Sequence, residues 1–344
     1  MFSVVIATPD VVGERMAGPG IRAFHFAEEL GKHFPTTLMA QGSWSREKMR
    51  EASVLIGQPA RGFHRMRRGQ RIIYDLFDPI LLELAQMYGR KPSLRQRLHY
   101  VAEQLRLQHA MAQGDLFIVA TPNQRELYAG KQMIEVPFGT EEDAGGIAGA
   151  TPENLIIWGG GTWEWLDPRT AVDAVVRVNR EGTRCRMLFL GRSRPNRALA
   201  DRRRESRFDE LIAAGYPYVT ANAEWVPYRD RFSWLRRGKV AMMLHRPTAE
   251  ARYSIRTRLF DAIGAAVPVI ATEEGFAAEL VAREGLGIVV PPGDVAAVAD
   301  AIRRLLTDDA LHATCVSNLE RIRPRFAWPV VTRPLVEAVS RWQS

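Results

Sequence analysis

The chain of 344 residues holds two cysteines, Cys185 and Cys315, far apart in sequence. That excludes a disulfide framework and a cysteine-based metal site, and it fits a reducing compartment. Long apolar runs are also missing. No stretch approaches the roughly 20 residues needed to span a bilayer. The start, Met-Phe-Ser-Val-Val-Ile-Ala, has no basic segment ahead of it and reads as a strand, not a signal peptide. There is no low-complexity tract, no heptad run and no repeat beyond a βα alternation. A cytoplasmic protein is expected.

What is present is a soluble globular composition, 46% hydrophobic and 25% charged. The length exceeds one ordinary core, so two domains are expected. The formal charge of +8 is unevenly spread. Nine arginines between Arg184 and Arg207 face only Asp201 and Glu205, and Arg61, Arg65, Arg67, Arg68 and Arg71 form a second basic segment. Such runs suit an anionic membrane surface or a phosphorylated substrate, or are simply solvated faces. With so few aromatics among them, nucleic acid is not the expected partner.

Short apolar runs alternate with amphipathic ones. Strands are expected at Val4–Ala7, Thr37–Ala40, Val54–Ile56, within Arg71–Pro79, and at Asp115–Ala120, Leu155–Trp158, Met187–Leu190, Val219–Ala223, Val240–Leu244, Val269–Thr272 and Gly287–Val290. Three glycines follow the first strand, and Gly18-Pro-Gly-Ile-Arg22 opens a helix, which is a phosphate-cradle layout without the dinucleotide fingerprint. Asp75 and Asp78 end the fourth strand, with no third ligand at metal spacing. Hydroxyl binding or helix capping suits them better. Residues 140–153 are small, acidic and glycine-rich, a linker composition. After it, Gly159-Gly160-Gly161 leads to Trp163 and Trp165, and Asp167 with Pro168 should open a helix. The tail from Trp328 to Trp342 reads as one more helix.

The most informative stretch runs from Glu250 to Pro268. A loop brings Glu250, Arg252, Arg256 and Arg258 toward a helix start, with Asp261 about a turn inside and a buried strand beyond. Helix starts attract anions through unpaired N–H groups and a positive dipole end. Cations for phosphate and carboxylates for sugar hydroxyls are what such a site offers. A solvated amphipathic helix, with Asp261 paired to Arg258, is the plainer alternative.

With Gly18-Pro-Gly-Ile-Arg22, Ile-Ile-Trp-Gly-Gly-Gly161, Phe-Leu-Gly191, the 250–268 stretch and Val290-Pro-Pro-Gly-Asp294 before a helix, the chain resembles the group 1 retaining glycosyltransferases of family GT4. The resemblance covers nearly the whole length and is strongest in the second half. It implies the GT-B fold: two Rossmann-like, doubly wound α/β domains facing across a deep cleft. The first would be residues 1–139 on the acceptor side. The linker 140–153 and a nucleotide-sugar donor domain, 154–325, follow, and a helix over 326–344 crosses back to the first. The family's acid–seven residues–acid motif is present as a variant. The second acid is Asp261, but Tyr253 stands at the place of the first, and the nearest acid is Glu250.

The implied reaction moves a sugar from a nucleotide-diphosphate-sugar co-substrate to an acceptor hydroxyl with retention, without metal or bound cofactor. The resemblance assigns Glu250, Asp75 and Asp78 to catalysis. It assigns Gly18, Gly20, Arg22, Gly160, Gly161, Trp163, Arg192, Ser254, Arg256, Arg258 and Asp261 to the donor. The acceptor would be a glycan, a lipid-linked sugar or a small molecule, with peripheral contact to the inner face of an anionic membrane through the basic segments. Two alternatives share the fold: a protein that binds a nucleotide sugar or a partner without transfer, and an enzyme of non-glycosidic coupling or epimerisation.

Overall fold

The computed structural model describes residues 1–141, 153–191 and 202–343. Most of the 140–153 linker, much of the 184–207 basic run and Arg192 lie outside the described residues. The chain forms two compact units. The first comprises Met1–Gly139, Arg252–Ile255 and Trp328–Ser344, the second Thr140–Ala251 and Arg256–Ala327.

In the first unit the strands are β1 Val4–Ala7, β2 Thr36–Met39, β3 Val54–Gly57, β4 Arg71–Asp75, β5 Leu116–Val119 and β6 Met133–Glu135. They pair in parallel in the order β2-β1-β3-β4-β5-β6, with Val4 opposite both Thr36 and Val54. Both β1 and β3 are buried along their length, as parallel strands covered on two faces must be. One side of this core gathers Val5, Leu55, Ile72, Tyr74, Phe117 and Val119. The closing segment packs within the same unit through Trp328, which stacks on His25 with centroids 4.3 Å apart and meets Phe138 edge-on. Gly139 makes room for it, since a Cβ there would lie 2.4 Å from the indole. The tail is not one helix but two, Trp328–Val331 and Arg333–Ser340, because Pro334 has no N–H to continue the ladder.

The second unit repeats the plan with β7 Glu153–Trp158, β8 Arg186–Phe189, β9 Val219–Ala221, β10 Gly238–Met243, β11 Val269–Thr272 and β12 Gly287–Val290. Their order is β12-β11-β10-β7-β8-β9, again all parallel. The chain therefore winds outward from β7 in one direction and from β10 in the other. The crevice at the carboxyl ends of β7 and β10 is the switch point where such sheets take ligands. The helix Pro168–Arg180 begins as its sequence requires, with Asp167 accepting from the Thr170 N–H at 3.2 Å, and it buries Ala171, Val172, Val175 and Val178. Two helices, Gly275–Glu284 and Asp309–Ile322, were not anticipated from the pattern. The first follows Glu274 at φ +82° and has no side-chain cap, so its start carries no signal in the sequence.

The helix Thr257–Ala265 presses its Gly264 against a neighbouring helix, where a Cβ would come within 2.2 Å of Thr140 Oγ1 and 2.5 Å of the Phe232 ring. Gly264→Ala gains about 1 kcal/mol of helix propensity but overpacks this contact at a cost of about 1–3 kcal/mol. Because the Phe232 ring is itself buried, the clash outweighs the gain, and calorimetry should show a lowered melting temperature.

Candidate functional site

At the switch point of the second unit, β7 ends in Trp158 and the chain turns through Gly159, Gly160 and Gly161. Gly160 adopts φ +70°, a conformation glycine takes freely. The Gly161 carbonyl accepts from the Trp158 indole N–H at 3.2 Å and from Arg258 Nη2. The guanidinium of Arg258 lies 5.0 Å from the Trp158 ring centre. Its Nη1 is buried and has no hydrogen-bond partner among the described residues. Burial, and then the like charge of Arg256, lower the Arg258 pKa to about 9. An anion placed there would relieve both costs.

Arg258 stands in the first turn of the helix Thr257–Ala265, whose N-cap residue Arg256 makes no side-chain capping bond. Ser254, expected at the donor, lies ahead of this start: it follows a short helix, Ala249–Tyr253, and sits with the first unit, its Oγ buried with no partner among the described residues. Open N–H groups of a helix start and a cation with a spare donor meet beneath a glycine turn. Such an arrangement, at the carboxyl ends of β7 and β10, has the chemistry that attracts an anion.

The other expected charges are differently engaged. Glu250 is fully buried, and its two oxygens accept from Arg256 Nη1 and Nη2 at 2.7 and 2.8 Å. Glu250, expected in catalysis, therefore turns both oxygens onto Arg256 within the fold. Arg256 Nε is buried and has no hydrogen-bond partner among the described residues. Beside this pair lies His245, bonded through its backbone N–H to Thr272 Oγ1 at 3.0 Å. Burial, then the Arg256 charge, lower the His245 pKa to about 4. Tyr253, at the place of the family's first acid, reaches Glu126 within the first unit at 3.3 Å. Asp261 is a turn inside the helix, its Oδ1 accepting from Arg231 Nε at 2.9 Å. Arg231 is clasped between the rings of Tyr228 and Phe232, 3.7 and 3.9 Å from their centres, and also bonds Glu141. Among the described residues, Asp261 Oδ2 takes no hydrogen bond. Burial raises the Asp261 pKa against the opposing pull of Arg231.

Three tryptophans border the glycine turn. Trp163 and Trp165 stack with centroids 5.2 Å apart and planes 5° from parallel. Trp165 is buried, and its strand-like partner is the end of β10, where Arg246 N–H donates to the Trp165 carbonyl at 2.8 Å. Trp225 went unnoticed in the sequence. It covers Gly161 and Gly191, where added Cβ atoms would lie 3.3 and 3.0 Å from its ring. The only clue was its position before Val-Pro at a strand end.

The first unit has its own polar cluster at the carboxyl ends of β1, β3 and β4. A crevice of about 10 Å³, room for about one water, is lined by Thr8, Pro19, Gln58 and Asp75 among others. Gly18 and Gly20 lie at the helix start as expected, and Gly20 is sterically required, since a Cβ would strike the Val11 carbonyl at 2.3 Å. The protein's own Asp10 answers these amides, accepting from Val11 N–H at 2.8 Å and from the Gly20 N–H. Arg22 is 1% exposed and donates to Asp75 Oδ2 at 2.7 Å and to the carbonyls of Val136 and Pro137 at 2.8 and 3.0 Å. Expected on phosphate, Arg22 instead has each guanidinium nitrogen donating inside the fold. Gln58 bonds Asp78 at 3.3 Å. Burial, then the charge of Asp75, push the Asp78 pKa up to about 7.

Residues 153–308 match the family model described as group 1 glycosyl transferases. No curated protein sequence matches the chain. Solved structures do, at low identity. Sucrose-phosphate synthase from Thermosynechococcus elongatus is 16% identical, with 99% of each chain covered and a TM-score of 0.70. HepE from Anabaena, crystallised with UDP-glucose, is 12% identical over 99% of this chain and 100% of its own, TM-score 0.70. WaaG, a glycosyltransferase involved in lipopolysaccharide biosynthesis, is 14% identical over 98% and 99%, TM-score 0.69. These likenesses concern the fold, which is GT-B.

The two units should respond to pH with opposite sign. Asp78 binds its proton more tightly folded than unfolded, so its stabilising contribution is full below about pH 4 and is lost as pH rises through about 7. His245 binds its proton less tightly when folded, so its contribution is full above about pH 6.5 and is lost as pH falls through about 4. Thermal unfolding across this window should show Asp78→Asn removing the loss on the alkaline side while leaving the acid-side loss intact.

Proposed function

We propose that the chain, whose residues 153–308 match the group 1 glycosyl transferase model, moves a sugar from a nucleoside-diphosphate sugar to an acceptor hydroxyl, with retention and without a metal ion. The observation that carries this reading is the spare buried donor of Arg258 beside an uncapped helix start, under the Gly159–Gly161 turn. The leaving diphosphate gains charge as the glycosidic bond breaks, and fixed cations and amides in a dry site stabilise that charge without reorganising. Arginine's fork matches two phosphate oxygens at once.

The other residues take roles that their partners leave open. Asp261, with Oδ1 fixed by Arg231, presents Oδ2 to the ribose hydroxyls. Gly160 and Gly161 bring backbone amides close to the phosphates, while Trp163 and Trp225 offer faces to the base or sugar. Glu250 is a positioning residue that holds Arg256 at the helix start. Asp75 and Asp78 in the first unit serve acceptor hydroxyls. The acceptor belongs to a glycan, a lipid-linked sugar or a small molecule. HepE, whose structure contains UDP-glucose, makes a uridine donor the first to try.

Thermal-shift measurements with UDP-, GDP-, ADP- and dTDP-sugars test the donor directly. A ligand at 100 times its Kd should add about 2.7 kcal/mol to native stability. Arg258→Met should weaken the preferred nucleoside diphosphate by about 10- to 100-fold, the range of a lost charge-assisted contact of about 1.5–3 kcal/mol. Absence of any shift, or a shift without release of nucleoside diphosphate when acceptors are supplied, would defeat the transferase reading. Asp261→Ala should raise the donor KM more than it lowers kcat. An unchanged KM would remove Asp261 from the site.

A further inference from the structure

The long helix Leu94–Gln113 in the first unit leaves an apolar face uncovered. Leu94, Leu98, Val101 and Leu105 are 74, 63, 49 and 59% exposed. Their spacing of four, three and four residues puts them in one line along the helix. The opposite side already does the packing: Ala110 is buried, and Leu107 and Met111 lie against the core. The stripe is therefore surplus to the fold, and it runs over most of the helix.

The charges around it have one sign. Across residues 89–113 the sequence has Arg90, Lys91, Arg95, Arg97 and Arg106 against a single acid, Glu103. Arg90, Lys91, Arg95 and Arg97 are exposed around the start of the stripe. Glu103 lies on the far side of the helix from the stripe, where it pairs with Arg106 and His99. No helix among the described residues is long and apolar enough to cross a membrane.

We propose that this helix lies on an anionic lipid surface, its leucine stripe among the acyl chains and its arginines on the phosphate headgroups. Amphipathic helices with one apolar stripe and a cationic border bind interfaces in this way. A second copy of the chain fits the same stripe less well. Two such faces packed together would set arginines and Lys91 against one another with no carboxylate on either border to pair them. The proposal concerns the first unit alone and does not depend on the nature of the donor.

The test is flotation of the whole protein with vesicles of phosphatidylcholine alone or mixed with phosphatidylglycerol, at low and high salt. The wild type should float with the mixed vesicles, at least about tenfold more than with phosphatidylcholine alone, and added salt should weaken the binding. Leu98→Glu with Leu105→Glu should abolish flotation, and Arg95→Glu with Arg97→Glu should reduce it severalfold. All four side chains are exposed, so each variant should keep the wild-type melting temperature. Equal binding to both vesicle types, no flotation, or variants that float normally would overturn the proposal. So would a concentration-dependent dimer, seen by sedimentation, that the leucine variants abolish.

Discussion

The second unit depends on one buried cation. Arg258 is held under its glycine turn by the Gly161 carbonyl and the face of Trp158, and those contacts do not satisfy it. Burying a guanidinium is costly unless its donors are met. The turn, the start of the Thr257–Ala265 helix and the end of β7 are therefore arranged about a charge whose Nη1 has no partner among the described residues. The same contact explains the glycines. A carbonyl that must accept from both an indole and a guanidinium needs a backbone free to bend at Gly160, and Trp225 leaves little space for side chains above it.

Around this centre, most charges that look like ligand groups are already neutralised by the chain. Glu250 and Arg256 close on each other, Arg22 closes on Asp75 and two carbonyls, and Asp10 occupies the helix start that the glycines open. Such buried pairs add little net stability compared with apolar replacements, but removing one partner is severe because the other is left charged and dry. Their value lies in position. Glu250 sets the direction of the segment that presents Arg258, and Arg231 sets one oxygen of Asp261. The acidic cluster of the first unit is less completely neutralised, which is why burial and mutual repulsion raise the pKa of Asp78.

Much of the architecture was legible in advance. The strand Val269–Thr272 and the strand Gly287–Val290 stand where the apolar runs put them, and Asp167 with Pro168 opens a helix with its anticipated buried face. These are local signals, carried by period, cap and turn. The helix Gly275–Glu284 was missed because its start has no cap to read, and the tail was misjudged as one helix despite two prolines. Gly160, Gly161 and Arg258, which the structure brings together, were singled out from the sequence, whereas Trp225 and Arg231 were not. Each becomes relevant only through a contact with residues thirty or more positions away.

By itself the sequence determined the two βα arrays, the parallel sheets and the loops that end at their carboxyl edges, because hydrophobic period and turn chemistry act over a few residues. Which charges remain available was decided only by tertiary structure. Arg22, Arg256 and Arg258 are indistinguishable as letters near helix starts. All three nitrogens of the first donate to Asp75 and two carbonyls, and Glu250 takes both terminal nitrogens of the second. The third has one carbonyl partner and one donor to spare. A hydrogen-bond donor serves a ligand only if the fold has not already satisfied it, and that depends on partners the chain brings together from a distance.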